Sequence, residues 1–212
     1  MTNFADPSEV EKYCKEIEEF IKQVTGAYKV ISYAPIIRIT NPEAGAKEQP
    51  PAADVHCDVT TPQAIQAAQR MNPDEEYSRF LHMSNWRAFS NPPQDFPLGV
   101  VDYRSTDDHD GLTNTAIWAD TMPDGVEGMT PEELPPLPTE NARVGEAFVF
   151  PYKENYEWRY FSNMTKDELL SFKLHDSDHS RAWRTPHCAF QNDLEGGIPR
   201  ESIEVRTCCY FK

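Results

Sequence analysis

Glycine is scarce in this chain, nine residues in 212, and none cluster into a phosphate-cradling loop, which removes the nucleotide folds that depend on one. No run of about 18 apolar residues is present to span a bilayer, so no membrane partner is expected. The opening Met1-Thr2-Asn3-Phe4-Ala5-Asp6 is polar and does not read as a secretory leader. Cysteines are few and odd in number: Cys14, Cys57, Cys188, Cys208 and Cys209 match no zinc spacing, so reduced thiols in a cytoplasmic protein are the expectation. Basic residues are also short, 20 Lys and Arg against 35 Asp and Glu. The resulting formal charge of −15 repels phosphate backbones and argues against a nucleic-acid partner. It leaves small-molecule substrates open, because a local arginine cluster outweighs a distant acidic surface. The sequence gives no signature of oligomeric state.

The chain has the bulk for one domain spanning residues 1–212, and its patterning is legible. Asp6 suits an N-cap, Pro7 the first helical position, and Glu9 a capping box. Val10, Tyr13, Cys14, Ile17, Phe20, Ile21 and Val24 recur at helical spacing, and Gly26 suits a stop. This predicts an amphipathic helix over about 7–25, packed on a sheet, with its Glu-rich face solvated. Strands are expected at Tyr28–Tyr33 and Ile36–Ile39, and a second helix from Thr61-Pro62 to about Arg70. The remainder reads as short strands: Phe80–Phe89, Leu98–Tyr103, Ala116–Ala119, Ala147–Phe150, Trp158–Phe161, Leu170–Leu174, Cys188–Phe190 and Ile203–Phe211. Many short strands with turns between them predict a mainly β fold with flanking helices, a sandwich or barrel rather than a βαβ fold. Asp120–Asn141 is acidic, rich in proline and without periodicity, hence a long loop, either a lid or a surface insertion.

His56-Cys57-Asp58 carries the chemistry. Two residues apart on a strand face the same side, so both side chains reach one ion, and a remote histidine completes a two-nitrogen, one-oxygen face. That set suits iron(II) and leaves the opposite face for an organic co-substrate and dioxygen, the arrangement of the non-haem iron(II) oxygenases. The pair alone is weak: six histidines and fifteen aspartates give about 0.4 chance occurrences. His187 strengthens it, because Arg200 and Ser202 follow at a spacing that lets them hold the far carboxylate of 2-oxoglutarate. His175 and His179 compete with His187 as the remote ligand, although His175-Asp176-Ser177-Asp178-His179 reads as a turn. Arg206 competes with Arg200 but shares a strand face with Glu204, which suggests an ion pair. Asn85 and Arg87 share another face and are candidates for the co-substrate, whereas Trp86 between them reads as core. Alternation turns Cys57 and Cys188 away from the metal.

These residues sit in a series of motifs that resembles the fungal and bacterial hydroxylase/desaturase family, whose members include aspergillic-acid hydroxylase-like, gibberellin desaturase-like and cephamycin methoxylation component-like proteins. The resemblance covers roughly Thr25 to Phe211. It rests on Thr25-Gly26-Ala27, Val55-His56-Cys57-Asp58, Asn85-Trp86-Arg87, Pro97-Leu98 with Asp102, Asp167-Glu168-Leu169-Leu170 leading to Asp176-Ser177, His187-Cys188-Ala189-Phe190 and Pro199-Arg200-Glu201-Ser202-Ile203-Glu204-Val205-Arg206. It implies a double-stranded β-helix (jelly roll, cupin-like), an iron(II)/2-oxoglutarate-dependent dioxygenase, and hydroxylation or desaturation of a small natural product in secondary metabolism. The chain departs from the family in a short N-terminal region and in the acidic insertion at Asp120–Asn141. Two other readings of the same barrel stay open: a cupin-like protein binding a metal or small acid without turnover, and a metal-dependent isomerase or hydrolase.

Overall fold

The computed structural model describes residues 4–43, 47–118, 124–126, 128–129, 133, 135, 143–193 and 196–212. Most of the loop expected over 120–141 falls outside them. Helix α1, Pro7–Thr25, begins where Asp6 accepts a hydrogen bond from the backbone N–H of Ser8 and ends at Gly26, whose φ of 72° is the left-handed conformation that glycine adopts cheaply. Its buried stripe is Tyr13, Cys14, Ile17 and Ile21. Phe20 and Val24, also at helical spacing, are exposed, because the stripe that meets the sheet is narrower than the apolar face. Glu18 leaves the solvated face to accept hydrogen bonds from the Ser32 backbone N–H and hydroxyl at 2.9 and 2.7 Å, tying α1 to the first strand.

Ten strands follow: β1 Lys29–Ile39, β2 His56–Cys57, β3 Arg79–Ala88, β4 Leu98–Val101, β5 Leu112–Trp118, β6 Arg143–Val149, β7 Trp158–Tyr160, β8 Leu170–Asp176, β9 His187–Ala189 and β10 Glu201–Phe211. The second helix, α2, spans Thr61–Met71. The two strands expected before residue 40 are one, β1, kinked by a register shift between Tyr33 and Ile36 where Ala34 has a φ of 46°. β8 runs on through His175 and Asp176, which the sequence reading placed in a turn; buried Asp176 is instead held by Arg79 at 2.7 and 2.6 Å and by Lys173 at 2.7 Å. With such partners, a carboxylate is tolerated inside a strand.

The named strands make two antiparallel sheets, ordered β1-β10-β3-β8 and β5-β6-β2-β9-β4-β7. α1 covers the outer face of the first, packing on Leu81, Met83, Ile203, Val205 and Cys209. The inner face meets the second sheet through a core that includes Trp86, Ala88, Phe172, Leu174 and Leu98. α2 closes one end, burying Ala64 and Ala68 against Phe80, Cys208 and Tyr210. This double-stranded β-helix is the expected jelly roll. Its central strands β3 and β10 are buried on both faces, so their polar residues are enclosed whichever way they point.

Two buried histidines predict an acid-sensitive fold. His82 has Nδ1 2.8 Å from the Tyr33 hydroxyl and Nε2 3.1 Å from the Ala64 carbonyl, and burial pushes its pKa down to about 4. His175 stacks on Phe80, and burial, reinforced by the charges of His179 and His82, pushes it down to about 3. Both are neutral in the fold at a pH where unfolded imidazoles take up protons, so the unfolded state binds more protons and stability falls as pH drops from about 6.5 toward 4. The thermal midpoint of the metal-free protein is expected to decline across that window, and less steeply in His175→Phe. An equal slope in the variant would remove His175 from the account.

Candidate active site

Strand pairing brings the distant histidines together. β2 lies between β6 and β9, and the residue opposite His56 across the β2–β9 pair is His187. Their rings are 4.4 Å apart between centroids. Asp58 follows β2 directly; its Oδ1 lies 3.8 Å from His56 Nε2 and its Oδ2 3.6 Å from His187 Nε2. One ligand atom from each of the three residues falls within 4.8 Å of the others, the only such His/Cys/Asp/Glu group among the described residues.

The atoms not facing the centre are already engaged. His56 Nδ1 sits 2.6 Å from the Asp54 carbonyl and His187 Nδ1 3.0 Å from the Thr185 carbonyl. A ring nitrogen can only donate to a carbonyl, so Nδ1 carries the proton and Nε2 presents its lone pair to the cluster. Burial, aided by the neighbouring His56, pushes the His187 pKa down to about 3 and keeps it neutral, as a ligand must be. Asp58 stays ionised: burial would raise its pKa, but Arg206 foremost, with His187 and His56, outweighs that and holds it below the usual carboxylate range. Arg206 Nη2 donates to Asp58 Oδ1 at 2.6 Å and Arg206 Nε to Glu204 at 3.0 Å, so the Glu204–Arg206 pair expected from the sequence extends to a third member. Asp58 Oδ2 is buried and has no hydrogen-bond partner. A buried carboxylate with one orphaned oxygen, set beside two imidazole lone pairs, is a site shaped for a divalent cation, and two nitrogens with one oxygen fit iron(II).

Arg200, immediately before β10, and Ser202, Glu204 and Arg206 on it share the inner face by alternation. A narrow cavity is lined by His56 and His187 from one sheet and by Arg38, Trp86, Arg200 and Glu204 from the other. Arg200 is 1% exposed; its Nη1 donates to the Phe96 carbonyl at 2.8 Å, its guanidinium lies 5.7 Å from the centroid of the Trp86 ring, and its Nε has no partner. The Ser202 hydroxyl donates to the Arg38 carbonyl at 3.4 Å. A far roomier groove, about 620 Å³ between α1 and β1, contains no histidine and lies on the outer side of the first sheet. Convergent chemistry, not size, marks the narrow cavity as the site.

Asn85 and Arg87, expected near the co-substrate, point the other way. Asn85 bonds to the Val205 carbonyl, Thr207 and Ser171, and Arg87 donates to the Lys166 carbonyl and lies over Tyr13 of α1. Trp86 between them is the residue that faces the cavity. His175 and His179 pack with Trp183 and Phe80, outside the cluster. Cys57 packs with Val101, Phe150 and Tyr156, and all five thiols are free. Arg38 was not singled out in the sequence. Its spacing to Ile36 and the facing position of Ser202 are the signals that place it on the inner face.

Comparison with known proteins identifies the family. A family model described as Oxidoreductase/YMDC permease-like domain matches residues 1–210. The chain is 32% identical over 208 residues to the Fe(II)/2-oxoglutarate-dependent dioxygenase nvfI of Aspergillus novofumigatus, covering 94% of this chain and 66% of that one. It is 27% identical to the hydroxylase/desaturase efuI of Hormonema carpetanum, covering 99% and 73%. A solved structure of the iron and alpha-ketoglutarate-dependent endoperoxidase NvfI superposes with a TM-score of 0.79 at 29% identity, over 97% of this chain and 71% of that one. Among the described residues no helix is long and apolar enough to cross a membrane. With sequence and fold in agreement along nearly its whole length, the chain belongs to the family of Fe(II)/2-oxoglutarate-dependent oxygenases that includes the fungal hydroxylase/desaturases, enzymes of small-molecule chemistry that use iron(II), 2-oxoglutarate and dioxygen.

Proposed function

We propose that this chain hydroxylates or desaturates a small natural product of secondary metabolism, with His56, Asp58 and His187 holding iron(II) and Arg200 and Ser202 receiving the far carboxylate of 2-oxoglutarate. The observation that carries the proposal is the Asp58 carboxylate between two cross-strand histidines, its buried, unpartnered Oδ2 3.6 Å from His187 Nε2 and its Oδ1 3.8 Å from His56 Nε2. Iron(II) bound there, with 2-oxoglutarate and dioxygen, supplies the oxidising power: the 2-oxoacid is decarboxylated to succinate and carbon dioxide while a C–H bond of the substrate is oxidised. The protein's part is positioning. The Asp54 and Thr185 carbonyls fix the imidazole tautomers, Arg206 fixes the carboxylate, and Arg200 offers a buried cation whose Nε awaits an acceptor.

Family membership favours turnover over simple binding, and an oxygen requirement separates this chemistry from an isomerase or hydrolase. Oxygen-dependent formation of succinate from 2-oxoglutarate by the iron-loaded protein is the expected result, and its absence across a broad substrate screen would favour the binding protein. Arg200→Ala is expected to weaken 2-oxoglutarate binding by about 1.5–3 kcal/mol, the scale of a hydrogen bond to a charged group. A comparable loss in Arg206→Ala with none in Arg200→Ala would move the anchor to Arg206.

A further inference from the structure

We propose that Arg38 is a second cationic contact for the far carboxylate of the co-substrate, acting beside Arg200; this rests on the placement of 2-oxoglutarate given above. Three observations carry it. The Cα partner of Arg38 across the β1–β10 pair is Ser202, and Arg200 lies two residues before Ser202 on the same face, so Arg38 and Arg200 are diagonal neighbours. Both line the cavity that holds His56 and His187. Neither has a carboxylate within ion-pairing distance among the described residues, although the chain carries 35 acidic side chains against 20 Lys and Arg.

A fully buried guanidinium, Arg200, beside a half-buried one, Arg38, with neither ion-paired among the described residues, is costly. Arginine does not deprotonate to escape burial, and an uncompensated buried charge costs several kcal/mol. Burial lowers the pKa of both groups, and the charge of Arg38 adds to burial in lowering that of Arg200 to about 10, so the two cations repel across the cavity. The charges of Glu204 and Asp58 on Arg38, and of Asp95 and Glu204 on Arg200, offset this only in part, since none forms an ion pair with either arginine among the described residues and the Glu204 carboxylate is held by Arg206. A guest bearing an anionic group removes the penalty twice over. A dicarboxylic 2-oxoacid, chelated at the metal by one end, brings such a group on its other end. Arg38 Nη1 is anchored on the Pro50 carbonyl at 2.9 Å, which orients the guanidinium.

The test is an anaerobic titration of the iron(II)-loaded protein, reading the visible absorption of the iron–2-oxoacid chelate and needing no turnover. Two probes are compared, 2-oxoglutarate and 2-oxobutyrate, which chelates identically but lacks the far carboxylate. Arg38→Gln, which retains a donor for the Pro50 carbonyl, is expected to raise the Kd for 2-oxoglutarate about ten-fold and leave that for 2-oxobutyrate within two-fold. Arg38→Lys is expected to stay within about three-fold of the parent for both probes, since it keeps the charge. Arg38→Met serves as the neutral variant if Arg38→Gln does not fold, with the same ten-fold expectation. A neutral variant that binds 2-oxoglutarate as the parent does, while Arg200→Ala binds it weakly, overturns the role of Arg38 and leaves the co-substrate placement standing. Parent-like binding in both Arg38→Gln and Arg200→Ala overturns the placement itself, as does an equal loss for both probes.

Discussion

Asp58→Ala is expected to abolish iron(II) binding and, with it, succinate formation. Asp58, Glu204 and Arg206 form one enclosed ionic cluster, linked at 2.6 and 3.0 Å, with two negative charges and one positive. In the proposed site this surplus negative charge would favour a divalent cation. Without Asp58 the cluster is neutral, the coordinating oxygen is gone, and two imidazoles must hold the ion beside a guanidinium. Losing a charged ligand in an enclosed site is worth about 4 kcal/mol or more, roughly a thousand-fold in affinity. Asp58→Asn separates the causes, since it keeps the shape and a partner for Arg206 while removing the charge; it too is expected to lose the metal, but without the loss of fold stability that alanine brings. Iron content after anaerobic loading and desalting is the measurement. Undiminished iron in both variants would remove Asp58 from the coordination sphere and the two-histidine, one-carboxylate site with it.

How far the sequence could be read depended on whether local signals had a single physical interpretation. Helix α1 was legible because Asp6, Pro7 and Gly26 each have a backbone reason to stand at a helix end, and β10 because a long run rich in β-branched, aromatic and thiol side chains admits little else. The triad was legible because His56 and Asp58 are two apart and only His187 had an arginine and a serine at a useful distance beyond it. Strand faces were harder. Alternation puts Asn85 and Arg87 together and Trp86 opposite, yet nothing local says which set points inward. β3 is central, with α1 on one side and the second sheet on the other, so burial does not alternate along it and polar residues occur on both faces. Arg87 was drawn outward by a carbonyl and a tyrosine ring, Trp86 inward by Arg200. The end of β8 failed for a similar reason: His175 and Asp176 look like turn residues until Arg79, nearly a hundred positions away, is seen to neutralise the carboxylate. The spacing of Arg38 to Ile36 says only that the two share a face, and an arginine flanked by isoleucines reads as a half-exposed strand position until Ser202 is seen opposite it across the sheet.

Arg206→Met is expected to carry the largest stability penalty of any single change near the site. The guanidinium is 17% exposed and serves two carboxylates that are 8% and 9% exposed, so its removal strands both in a low-dielectric interior. Breaking a buried ion pair from one side typically costs about 3–5 kcal/mol, and the apolar stem of methionine recovers only the packing. Chemical denaturation of the metal-free protein should show that loss, and the triple variant Arg206→Met, Asp58→Asn, Glu204→Gln should regain most of it, because all three charges then vanish together. The same electrostatics predicts the opposite sign for metal. In the parent, Arg206 offsets part of the charge that attracts the cation; in Arg206→Met the cluster holds two uncompensated negatives, and a bound divalent ion becomes their chief partner. Manganese(II), which takes a similar ligand set without reacting, should therefore raise the thermal midpoint of Arg206→Met by more than that of the parent at equal free concentration. A smaller rise in the variant would mean that Arg206 is needed to hold Asp58 in its binding orientation more than it opposes the ion. An equal rise, with no loss of stability in the metal-free variant, would mean that the Asp58–Arg206 contact contributes nothing to either state.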